Sequence, residues 1–369
     1  MSAMATSAIQ TLFLRDTTHG GSSRQPWTVA RHLAEFVAGA TSTLDIAIYD
    51  FRLTRTSLAN KVVNALIKAA ADGITVRIAY DAGKPTAATK KTFALMAADP
   101  APPGTAQWVA DHFGNSDVQL RAITAPSGQL MHCKYIVRDS ASKAATVWTG
   151  STNWTDDAWT LQENNIITVA SKSVAAAFQT NFNELWSAGS IKGTGASDGG
   201  SGSVGSATVA WDFAPGDGAA IDQALTDAVT AATERIVLAT MVLTSHPVLA
   251  ALVAAIDRGV PVSGIYDSGQ MGPIAAEWKK NPGSATTLAN WNKVKAKLVD
   301  KRSAPYTATG PHNFMHNKIL ITDGTLATGS YNFSANAEKN SENQLHFSSN
   351  AGLVKQYADY IATIVAAYG

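Results

Sequence analysis

Two short runs of the chain place an imidazole and an ammonium two residues apart among apolar neighbours. The runs cover residues 131–139 and 315–323, and both match the pattern HxKxxxxD. On an extended strand, residues i and i+2 point to the same side, so each histidine and its lysine project together. An imidazole can attack or donate a proton and an ammonium can hold an anion, which is the chemistry that a phosphate ester requires. The pairs are His132 with Lys134 and His316 with Lys318.

A second polar set follows each run and is also duplicated. The sequences GSTN at 150–153 and GSYN at 329–332 are each followed by a glutamate ten residues after the asparagine. A hydroxyl, an amide and nearby backbone N–H groups at a strand end can hold an oxyanion. A carboxylate beside a histidine accepts its Nδ1–H and fixes tautomer and orientation. The side chains expected to hold an anion are Ser151, Asn153, Ser330 and Asn332, and the expected partners of the histidines are Glu163 and Glu342.

The elements that must position these groups lie upstream, where each half reads as strand, helix and strand. The first unit covers residues 44–83 and the second covers residues 235–269. Both units end on the pattern YDxG, which contains Asp81 and Asp267. A strand, a crossover helix and a parallel strand form a right-handed βαβ unit. We therefore predict an α/β fold of two pseudo-twofold-related repeats, each a mixed, mainly parallel β-sheet flanked by helices.

The repeats also predict the domain boundaries. Between Trp186 and Val209 the chain is rich in glycine and serine and has almost no large apolar residue, which is typical of a flexible connector. We therefore predict an N-terminal repeat at 1–188, a linker at 189–208 and a C-terminal repeat at 209–369.

If the halves pack about a pseudo-twofold axis, one pocket receives both polar sets. Such a pocket fits a phosphodiester, because lysines and hydroxyls can hold the nonbridging oxygens while one histidine attacks phosphorus and the other protonates the departing oxygen. The lysines supply the positive charge that Mg²⁺ supplies in other phosphoryl transfer enzymes, so we expect no metal and no cofactor. A site of two histidines and two carboxylates for a metal ion is the alternative. The adjacent ammonium groups argue against it because they repel a cation.

The duplicated HxKxxxxD followed by GSxN resembles the phospholipase D superfamily, over both halves from about Leu44 to the C-terminus. Members of that superfamily hydrolyse or exchange phosphodiesters through a phosphohistidine intermediate. The resemblance implies that His132 is the nucleophile and that His316 is the general acid, which then activates water or an alcohol. It also implies that the lysines, serines and asparagines bind the phosphate and that the glutamates position the histidines. The motif aspartates, which the family uses mainly as structural support, are Asp139 and Asp323.

Composition excludes several classes of protein. The chain has 369 residues and a formal net charge of +1, so no field of one sign extends over the molecule to attract polyanions. Its single cysteine, Cys133, allows neither an internal disulfide nor a CxxC metal site and is expected to be a packed core thiol. No apolar run is long enough to span a membrane, and the first residues lack the features of a Sec signal. We expect a soluble monomer, either cytoplasmic or exported by another route.

Three functions compete. The first is hydrolysis or transphosphatidylation of a phospholipid or small phosphodiester, with apolar and aromatic walls supplied by segments 84–131 and 271–315. The second is a nuclease, with which a basic stretch within 279–302 is consistent, although solvation of a helix face explains the same lysines. The third is a non-catalytic phosphate-binding protein, which the intact double motif disfavours. The near-zero net charge favours the first. The aromatic residues that these segments contain include Trp108, Phe113, Trp278, Trp291 and Tyr306.

Further residues near the motifs allow two interpretations. Arg52 and Arg55 follow the first predicted strand, where they can line the mouth of the site, but solvated surface positions are the simpler expectation. Trp154 follows GSTN directly, and Phe333 holds the equivalent place in the second half. Each aromatic ring can line the pocket or belong to the core.

Overall fold

The fold consists of two mixed β-sheets that face each other across a layer of two helices, with further helices on the outer faces. The computed structural model describes residues 7–83, 104–307 and 310–369. The sequence expectations for residues 84–103 and 308–309 lie outside the described residues. The layers follow from the sequence pattern, because a strand whose two faces are both apolar must be covered on both sides.

The elements of the first half lie between residues 9 and 188. Its helices are α1 (Gln25–Ala38), α2 (Thr56–Ala71), α3 (Thr105–Phe113), α4 (Asp156–Thr160) and α5 (Lys172–Ala188). Its strands are β1 (Ile9–Leu14), β2 (Thr43–Ile48), β3 (Phe51–Arg52), β4 (Thr75–Asp81), β5 (Gln119–Ile123), β6 (Lys134–Arg138), β7 (Thr146–Gly150), β8 (Trp154–Thr155) and β9 (Asn164–Ala170).

The elements of the second half lie between residues 200 and 368. Its helices are α6 (Gly218–Ala231), α7 (His246–Asp257), α8 (Ser268–Lys280), α9 (Ala285–Lys295) and α10 (Ala351–Tyr368). Its strands are β10 (Gly200–Val204), β11 (Ala207–Ala214), β12 (Ile236–Thr240), β13 (Val262–Asp267), β14 (Val299–Lys301), β15 (Lys318–Thr322), β16 (Thr325–Gly329) and β17 (Glu342–Ser348).

Strand order confirms the internal repeat. The first sheet runs β1-β9-β7-β6-β2-β4-β5, and the second runs β10-β11-β17-β16-β15-β12-β13-β14, which is the same order with one added edge strand. The predicted βαβ units are present, because β2 pairs in parallel with β4 and β12 pairs in parallel with β13. The sheets are mixed, as expected, but parallel pairing is the minority in both. After β5 and β14 the chain returns through hairpins that pair β6 with β7 and β15 with β16 antiparallel.

The crossover helices of the two units end in the same way. After α2, the N–H of Gly73 donates to Ala70 O and the N–H of Ile74 donates to Ala69 O, both at 3.0 Å. Gly73 has a φ of 91°, and Gly259 after α7 has a φ of 85°. Only glycine adopts this left-handed conformation without strain, and the paired bonds satisfy the last carbonyls of each helix. The glycines therefore fix where each chain turns back into its second strand.

The hydrophobic core is continuous across the two halves. Its central part lies between the sheets and includes the inner faces of α5 and α10. Phe178 of α5 meets Phe213 of β11 with 4.9 Å between ring centroids and an edge-to-face angle of 80°. Two further clusters fill the space between each sheet and its outer helices. The sheets are thus held in a fixed relation by shared apolar packing, which is the main driving force of folding.

The glycine-rich connector differs from the sequence expectation. Residues 200–204 form β10, which pairs antiparallel with β11, so this part of the connector is an ordered edge strand. A Cβ at Gly200 would lie 3.1 Å from the Trp211 ring, and one at Gly202 would lie 3.5 Å from it. The small residues here let the backbone approach a tryptophan. Composition alone does not distinguish glycines that permit close packing from glycines of a flexible linker.

Candidate active site

The two motif histidines lie at the seam between the halves, where each is held by the backbone of the opposite half. The N–H of His132 donates to Ser341 O at 2.8 Å, and the N–H of His316 donates to Glu163 O at 3.1 Å. The histidines lie just before β6 and β15. The residue before each histidine, Met131 or Met315, forms an isolated β-bridge with the other half. The predicted assembly of one site from two repeats is therefore supported by reciprocal main-chain contacts.

His132 is buried, and a carboxylate from the second half holds its ring. Its Nδ1 lies 2.9 Å from Oε2 of Glu342. The same Oε2 accepts the Ser330 hydroxyl at 2.6 Å, and Oε1 accepts the Asn340 amide at 3.1 Å. Glu342 is itself fully buried, so these bonds fix its orientation. The predicted partnership of Glu342 with a histidine is observed, and that histidine is the one in the first motif.

His316 has a different kind of partner. Its Nδ1 lies 2.9 Å from Oδ1 of Asn164. That oxygen also accepts the Ser151 hydroxyl at 2.7 Å. The Asn164 amide nitrogen donates to Ala158 O at 3.1 Å and to Gln162 Oε1 at 3.0 Å. A neutral amide therefore occupies the place in which the sequence predicted a carboxylate.

Glu163, which the sequence also predicts to be a histidine partner, belongs to another cluster. Its Oε2 accepts Lys301 Nζ at 2.7 Å, and its Oε1 accepts the Tyr368 hydroxyl at 2.6 Å. The same ammonium lies 3.2 Å from Asp16 Oδ2. Burial raises the pKa of the Glu163 carboxyl above its ordinary value, an effect that Lys301 partly offsets. The prediction that the Glu163 carboxylate holds a motif histidine is therefore wrong.

Strand register explains the error. The N–H of Ser151 donates to Asn165 O and that of Ser330 donates to Asn343 O, both at 3.0 Å. The residue before each acceptor thus holds the same place in its half. The connection from GSxN to this place is one residue longer in the first half, and a shift of one residue turns a side chain to the other face. The structurally equivalent residues are Asn164 and Glu342.

The motif serines support the histidine partners. Each hydroxyl donates its hydrogen to Asn164 or Glu342 and accepts a backbone N–H at 3.0 Å. A hydroxyl has one hydrogen to donate, so in this arrangement Ser151 and Ser330 do not donate to a phosphate, contrary to the sequence expectation. For the asparagines of GSxN, binding of the phosphate remains a prediction. Asn153 lines the cleft described below, and Asn332 is buried at the equivalent position.

The motif lysines have matching conformations in the two halves. Nζ of Lys134 donates to His132 O, and Nζ of Lys318 donates to His316 O, both at 2.6 Å. Lys134 also lies over the Tyr49 ring, 4.9 Å from its centroid. Both lysines are buried, and a buried ammonium strongly favours a nearby anion. The predicted pairing of each lysine with its histidine is therefore present, and their contact with phosphate remains a prediction.

The motif aspartates perform a folding role. Asp139 accepts the backbone N–H groups of Thr41, Ser42 and Thr43 at 2.7 to 3.0 Å. Asp323 accepts those of residues 233–235 in the same way. Burial alone would raise the pKa of Asp139, but these hydrogen bonds lower it below the ordinary value. Each aspartate therefore fastens the motif strand to the start of the first strand of its βαβ unit.

A cleft in the described part of the chain reaches His316. Tyr49, which lines it, also packs edge-to-face on His132 with 5.0 Å between ring centroids. The cleft therefore connects the surroundings of both histidines. Arg52 lines the same cleft and binds Asp50 through two nitrogens at 2.7 Å each, so the expected solvated position is wrong for Arg52. Arg55 is exposed, as expected.

The remaining aromatic residues and the cysteine divide between the core and the cleft. Trp154 and Phe333 are buried in the outer cores. Tyr306 lines the cleft, whereas Trp291 is buried. Cys133 is a packed core thiol, as predicted, and burial raises its pKa to about 12.

The described residues contain neither a metal-type cluster of side chains nor a membrane-spanning helix. Within residues 7–83, 104–307 and 310–369, no three side chains of His, Cys, Asp or Glu come together as a metal site. In the same ranges, no helix combines the length and apolar character needed to cross a bilayer.

Comparison with known proteins identifies the family. The family model described as "Cardiolipin synthase, PLD-like domain" matches residues 33–186 and 225–365, which is most of the chain and covers both halves. The chain belongs to the phospholipase D superfamily. Among curated proteins, none matches the sequence significantly.

Solved structures show the same fold at low sequence identity. Phosphatidylserine synthase from Haemophilus influenzae Rd KW20 is 11% identical, with a TM-score of 0.63 over 96% of this chain and 86% of that one. Polyphosphate kinase from Porphyromonas gingivalis is also 11% identical, with a TM-score of 0.56 over 96% of this chain and 50% of that one. At these identities the likeness concerns the fold.

Sequence reasoning missed several residues of this candidate site. Asn164 stood next to the glutamate that the spacing selected, and only strand register distinguishes the two. Tyr49 and Asp50 end the first predicted strand, and the carboxyl end of a parallel strand is a usual place for functional side chains. The sequence favours a solvated Lys301, yet only 2% of its side chain is exposed. No local pattern announces such a long-range ion pair.

Proposed function

We propose that the chain is a metal-independent phosphodiesterase that acts through a phosphohistidine intermediate. The observation that carries the proposal is the reciprocal seam, which brings two buried histidine–lysine pairs to one place and holds each imidazole at Nδ1. With Nδ1 engaged, Nε2 is the ring nitrogen that reacts. Membership of a superfamily of phosphodiesterase-type enzymes supports the same chemistry.

The first step forms the intermediate. Nε2 of His132 attacks phosphorus, and the bond from phosphorus to the leaving oxygen breaks. The imidazolium of His316 donates its Nε2 proton to that oxygen, which departs as an alcohol. Positive charge develops on the phosphorylated ring of His132, and the carboxylate of Glu342 stabilises it. Lys134 and Lys318 hold the nonbridging oxygens.

The second step regenerates the enzyme. Neutral His316 takes a proton from water or from an acceptor alcohol as the oxygen attacks phosphorus. The phosphorus–nitrogen bond breaks, and its electron pair returns to Nε2 of His132. Water gives hydrolysis, and an alcohol gives a new phosphodiester. Both outcomes use the same residues, so the choice between them depends on which acceptor reaches the cleft.

We propose a phospholipid or small phosphodiester as the substrate. Tyr49, Tyr306, His312 and Phe314 supply ring surfaces to the cleft, in keeping with an apolar or aromatic group beside the phosphate. His312 stacks between Tyr306 and Phe314 with centroid distances of 4.9 and 5.4 Å. These rings give one wall of the cleft a continuous aromatic face.

A nuclease is the alternative, and the basic stretch supports it less than its sequence suggests. Lys280 is paired with Glu277, Lys293 with Asp257, and Lys301 is buried between Glu163 and Asp16. Charges that are already paired contribute little to the neutralisation of a nucleic acid backbone. A non-catalytic phosphate-binding protein is the least favoured function, because both histidine–lysine pairs are intact.

Replacement of each histidine tests the proposal. We expect His132→Asn to lower kcat for bis-p-nitrophenyl phosphate by about 10⁴-fold or more and to abolish phosphoenzyme trapped by acid quench. His316→Asn should retain the phosphoenzyme with this activated substrate but hydrolyse it slowly, because the base for the second step is missing. Phosphate trapped on His316 in the His132→Asn variant would reverse the assignment of roles.

Substrate class and metal independence need a parallel assay. Phosphatidylcholine vesicles, single-stranded DNA and bis-p-nitrophenyl phosphate are compared side by side, with and without EDTA. We expect choline release or transfer without DNA cleavage, at a rate that EDTA leaves unchanged. DNA cleavage without lipid turnover would favour the nuclease, and rescue by added metal after EDTA would contradict the proposed mechanism.

A further inference from the structure

The outer face of α1 and α2 carries an exposed tryptophan beside an apolar groove. Trp27, in the first turn of α1, is 50% exposed, and no other large hydrophobic side chain of the described residues is exposed to this extent. The groove runs along both helices and has a volume of about 750 Å³. An exposed aromatic ring that adjoins an apolar groove is typical of an interaction surface. The apolar residues of the groove include Ala34, Val37, Ala38, Ala65, Ala69 and Ile74.

Comparison of the two halves indicates that the fold does not require this ring. α6 corresponds to α1, because each helix has 14 residues and precedes the first strand of a βαβ unit. The exposed residues in the first turn of α6 are alanines, Ala219 and Ala220. The second half thus forms the same helix without a tryptophan at this place, so a role outside the fold has to explain Trp27.

The direction of the chain places this tryptophan at the end of the sheet that carries the cleft. Tyr49 and Asp50 line the cleft and directly follow β2. α2 starts at this end of the sheet, and α1 ends at the opposite end, where β2 begins, so the first turns of both helices lie on the cleft side. Gln25 of α1 donates to Trp159 O at 2.9 Å, in the helix that directly follows Thr155 of the cleft. A surface bound at the start of α1 is therefore beside the cleft.

The charges at this end of the groove are complementary to an anionic surface. Arg24 directly precedes α1, Arg55 directly precedes α2, and Lys61 lies in the second turn of α2 and lines the groove. All three side chains are exposed. Within the part of the chain that the structure describes, Arg24 and Lys61 form no ion pair, and Arg55 lies 4.0 Å from Asp156. These cations are available to a partner.

The carboxylates that line the groove are already neutralised. Glu35 lies 2.9 Å from Arg31, and Asp72 lies 2.6 Å from Lys68. The charge that stays without a partner along the groove is therefore positive. Tryptophan favours the headgroup region of a bilayer, and lysine and arginine are attracted to its anionic lipids.

We propose that the Trp27 end of the groove between α1 and α2 docks the chain on the surface of an anionic phospholipid bilayer. The indole ring enters the headgroup region, and Arg24, Arg55 and Lys61 face the lipid phosphates. Docking in this way holds the cleft next to the bilayer. The delivery of a phospholipid to the motif histidines rests on the proposed function, whereas the docking itself does not.

Binding of the full chain to sedimenting vesicles tests the proposal. Vesicles of phosphatidylcholine alone are compared with vesicles that also contain phosphatidylserine, and we expect tighter binding to the second kind. Trp27→Ser should lower the partition coefficient by about tenfold, because an exposed apolar ring is lost. Lys61→Glu should lower it by about five- to tenfold on the anionic vesicles only. Binding of Trp27→Ser that equals the wild type would overturn the inference.

Lys297→Glu is the matched control for charge. Lys297 is also exposed, but it precedes β14 at the end of the second sheet opposite the cleft. A charge this far from the docked surface is screened by salt, so we expect a change of less than about twofold. Equal losses for Lys61→Glu and Lys297→Glu would show that net charge, and not this surface, governs binding.

A fluorescent probe locates the surface that touches the bilayer. Cys133 is fully buried, so a thiol-reactive, polarity-sensitive dye should label an introduced cysteine selectively. Ser57→Cys, on the rim of the groove, should give a blue-shifted emission on anionic vesicles, whereas Gly324→Cys, in the turn after β15 and opposite the cleft, should not. The same shift at both sites would contradict the inference. A dimer that Trp27→Ser abolishes, without binding to vesicles, would replace the bilayer by a second copy of the chain.

Kinetic measurements separate this inference from the proposed function. Trp27→Ser should leave kcat/KM for bis-p-nitrophenyl phosphate unchanged and lower the turnover of lipid in anionic vesicles by about tenfold. If the wild-type chain binds the vesicles but turns over none of the tested phosphodiesters, the proposed function fails and the docking stands. If lipid turnover and vesicle binding are the same in Trp27→Ser and the wild type, the docking fails and the proposed function stands.

Discussion

At the scale of single residues, two buried carboxylates hold the backbone next to the motif histidines. Asp81 Oδ2 accepts the N–H of Met131 at 2.9 Å, and Asp267 Oδ2 accepts that of Met315 at 2.8 Å. The sequence marks these aspartates only as the ends of the βαβ units. Burial raises the pKa of Asp267 to about 6, although hydrogen bonds from Ser303 and the backbone oppose the shift.

The raised pKa of Asp267 predicts an unusual pH dependence of stability. Between the unfolded value of 3.8 and about 6, the folded state retains a proton that the unfolded state has lost. The contribution of the Asp267 carboxyl to the free energy of unfolding is therefore fully present below pH 3.8 and is lost as pH rises to about 6. We expect the free energy of unfolding, relative to Asp267→Asn, to fall by about 3 kcal/mol across this window. Urea titrations of both proteins at closely spaced pH values measure it.

Asp139→Asn is a control of opposite sign. Backbone hydrogen bonds outweigh burial and lower the pKa of Asp139, so its contribution is present at neutral pH and is lost as pH falls. A relative stability of Asp267→Asn that is flat from pH 4 to 7 would contradict the assigned environment.

At the scale of elements, the glycine of GSxN lets two neighbouring strands approach each other closely. A Cβ at Gly150 would lie 2.2 Å from Asn165 O, and one at Gly329 would lie 2.2 Å from Asn343 O. These are the carbonyls to which the following serines donate their N–H groups. The glycine therefore lets β7 and β16 come close enough to β9 and β17 to aim a serine at each histidine partner.

Gly329→Ala tests this explanation. The added methyl group would collide with a backbone oxygen that cannot rotate away, so we expect a loss of about 2 to 3 kcal/mol in the free energy of unfolding. Gly324→Ala, in the turn between β15 and β16, has no heavy atom within 4 Å of the new Cβ and should change stability by less than about 0.5 kcal/mol. Equal melting temperatures for the two variants would refute the steric argument.

At the scale of the whole molecule, the halves depend on each other for both core and site. The central core cluster contains side chains of both sheets, and polar pairs cross the seam in both directions. The Asn165 amide donates to Asn317 Oδ1, and the Asn343 amide donates to Thr149 Oγ1, both at 3.0 Å. Each half therefore completes packing and hydrogen bonds of the other.

We therefore expect a single cooperative unfolding transition. Phe213→Ala removes a ring that packs on α5 of the first half, and it should destabilise the whole chain by about 3 to 5 kcal/mol. Calorimetry should give equal calorimetric and van't Hoff enthalpies for the wild-type and the variant. Two resolved transitions, of which the substitution lowers only one, would show that the repeats unfold separately.

Much of this organisation is encoded in local patterns. The βαβ units, the duplicated motif and the partnership of Glu342 with a histidine all follow from periodicity and repetition. Three features do not. The place of Asn164 depends on a one-residue difference in register, the burial of Lys301 depends on groups more than a hundred positions away, and β10 is ordered by contact with Trp211. Each is decided by tertiary packing, which local sequence does not contain.

The aspartate of HxKxxxxD and the glycine of GSxN serve the scaffold, whereas the histidine and lysine of HxKxxxxD are the residues that we propose for the reaction. Asp139 fastens two strands, and Gly150 lets β7 approach β9 closely, whether or not any substrate is bound. The scaffold and the proposed chemistry therefore depend on different residues of these motifs. We expect a variant that lost both histidines and both lysines, but retained the aspartates and glycines, to keep this architecture as a silent binder, so that its loss of activity would be readable from four positions.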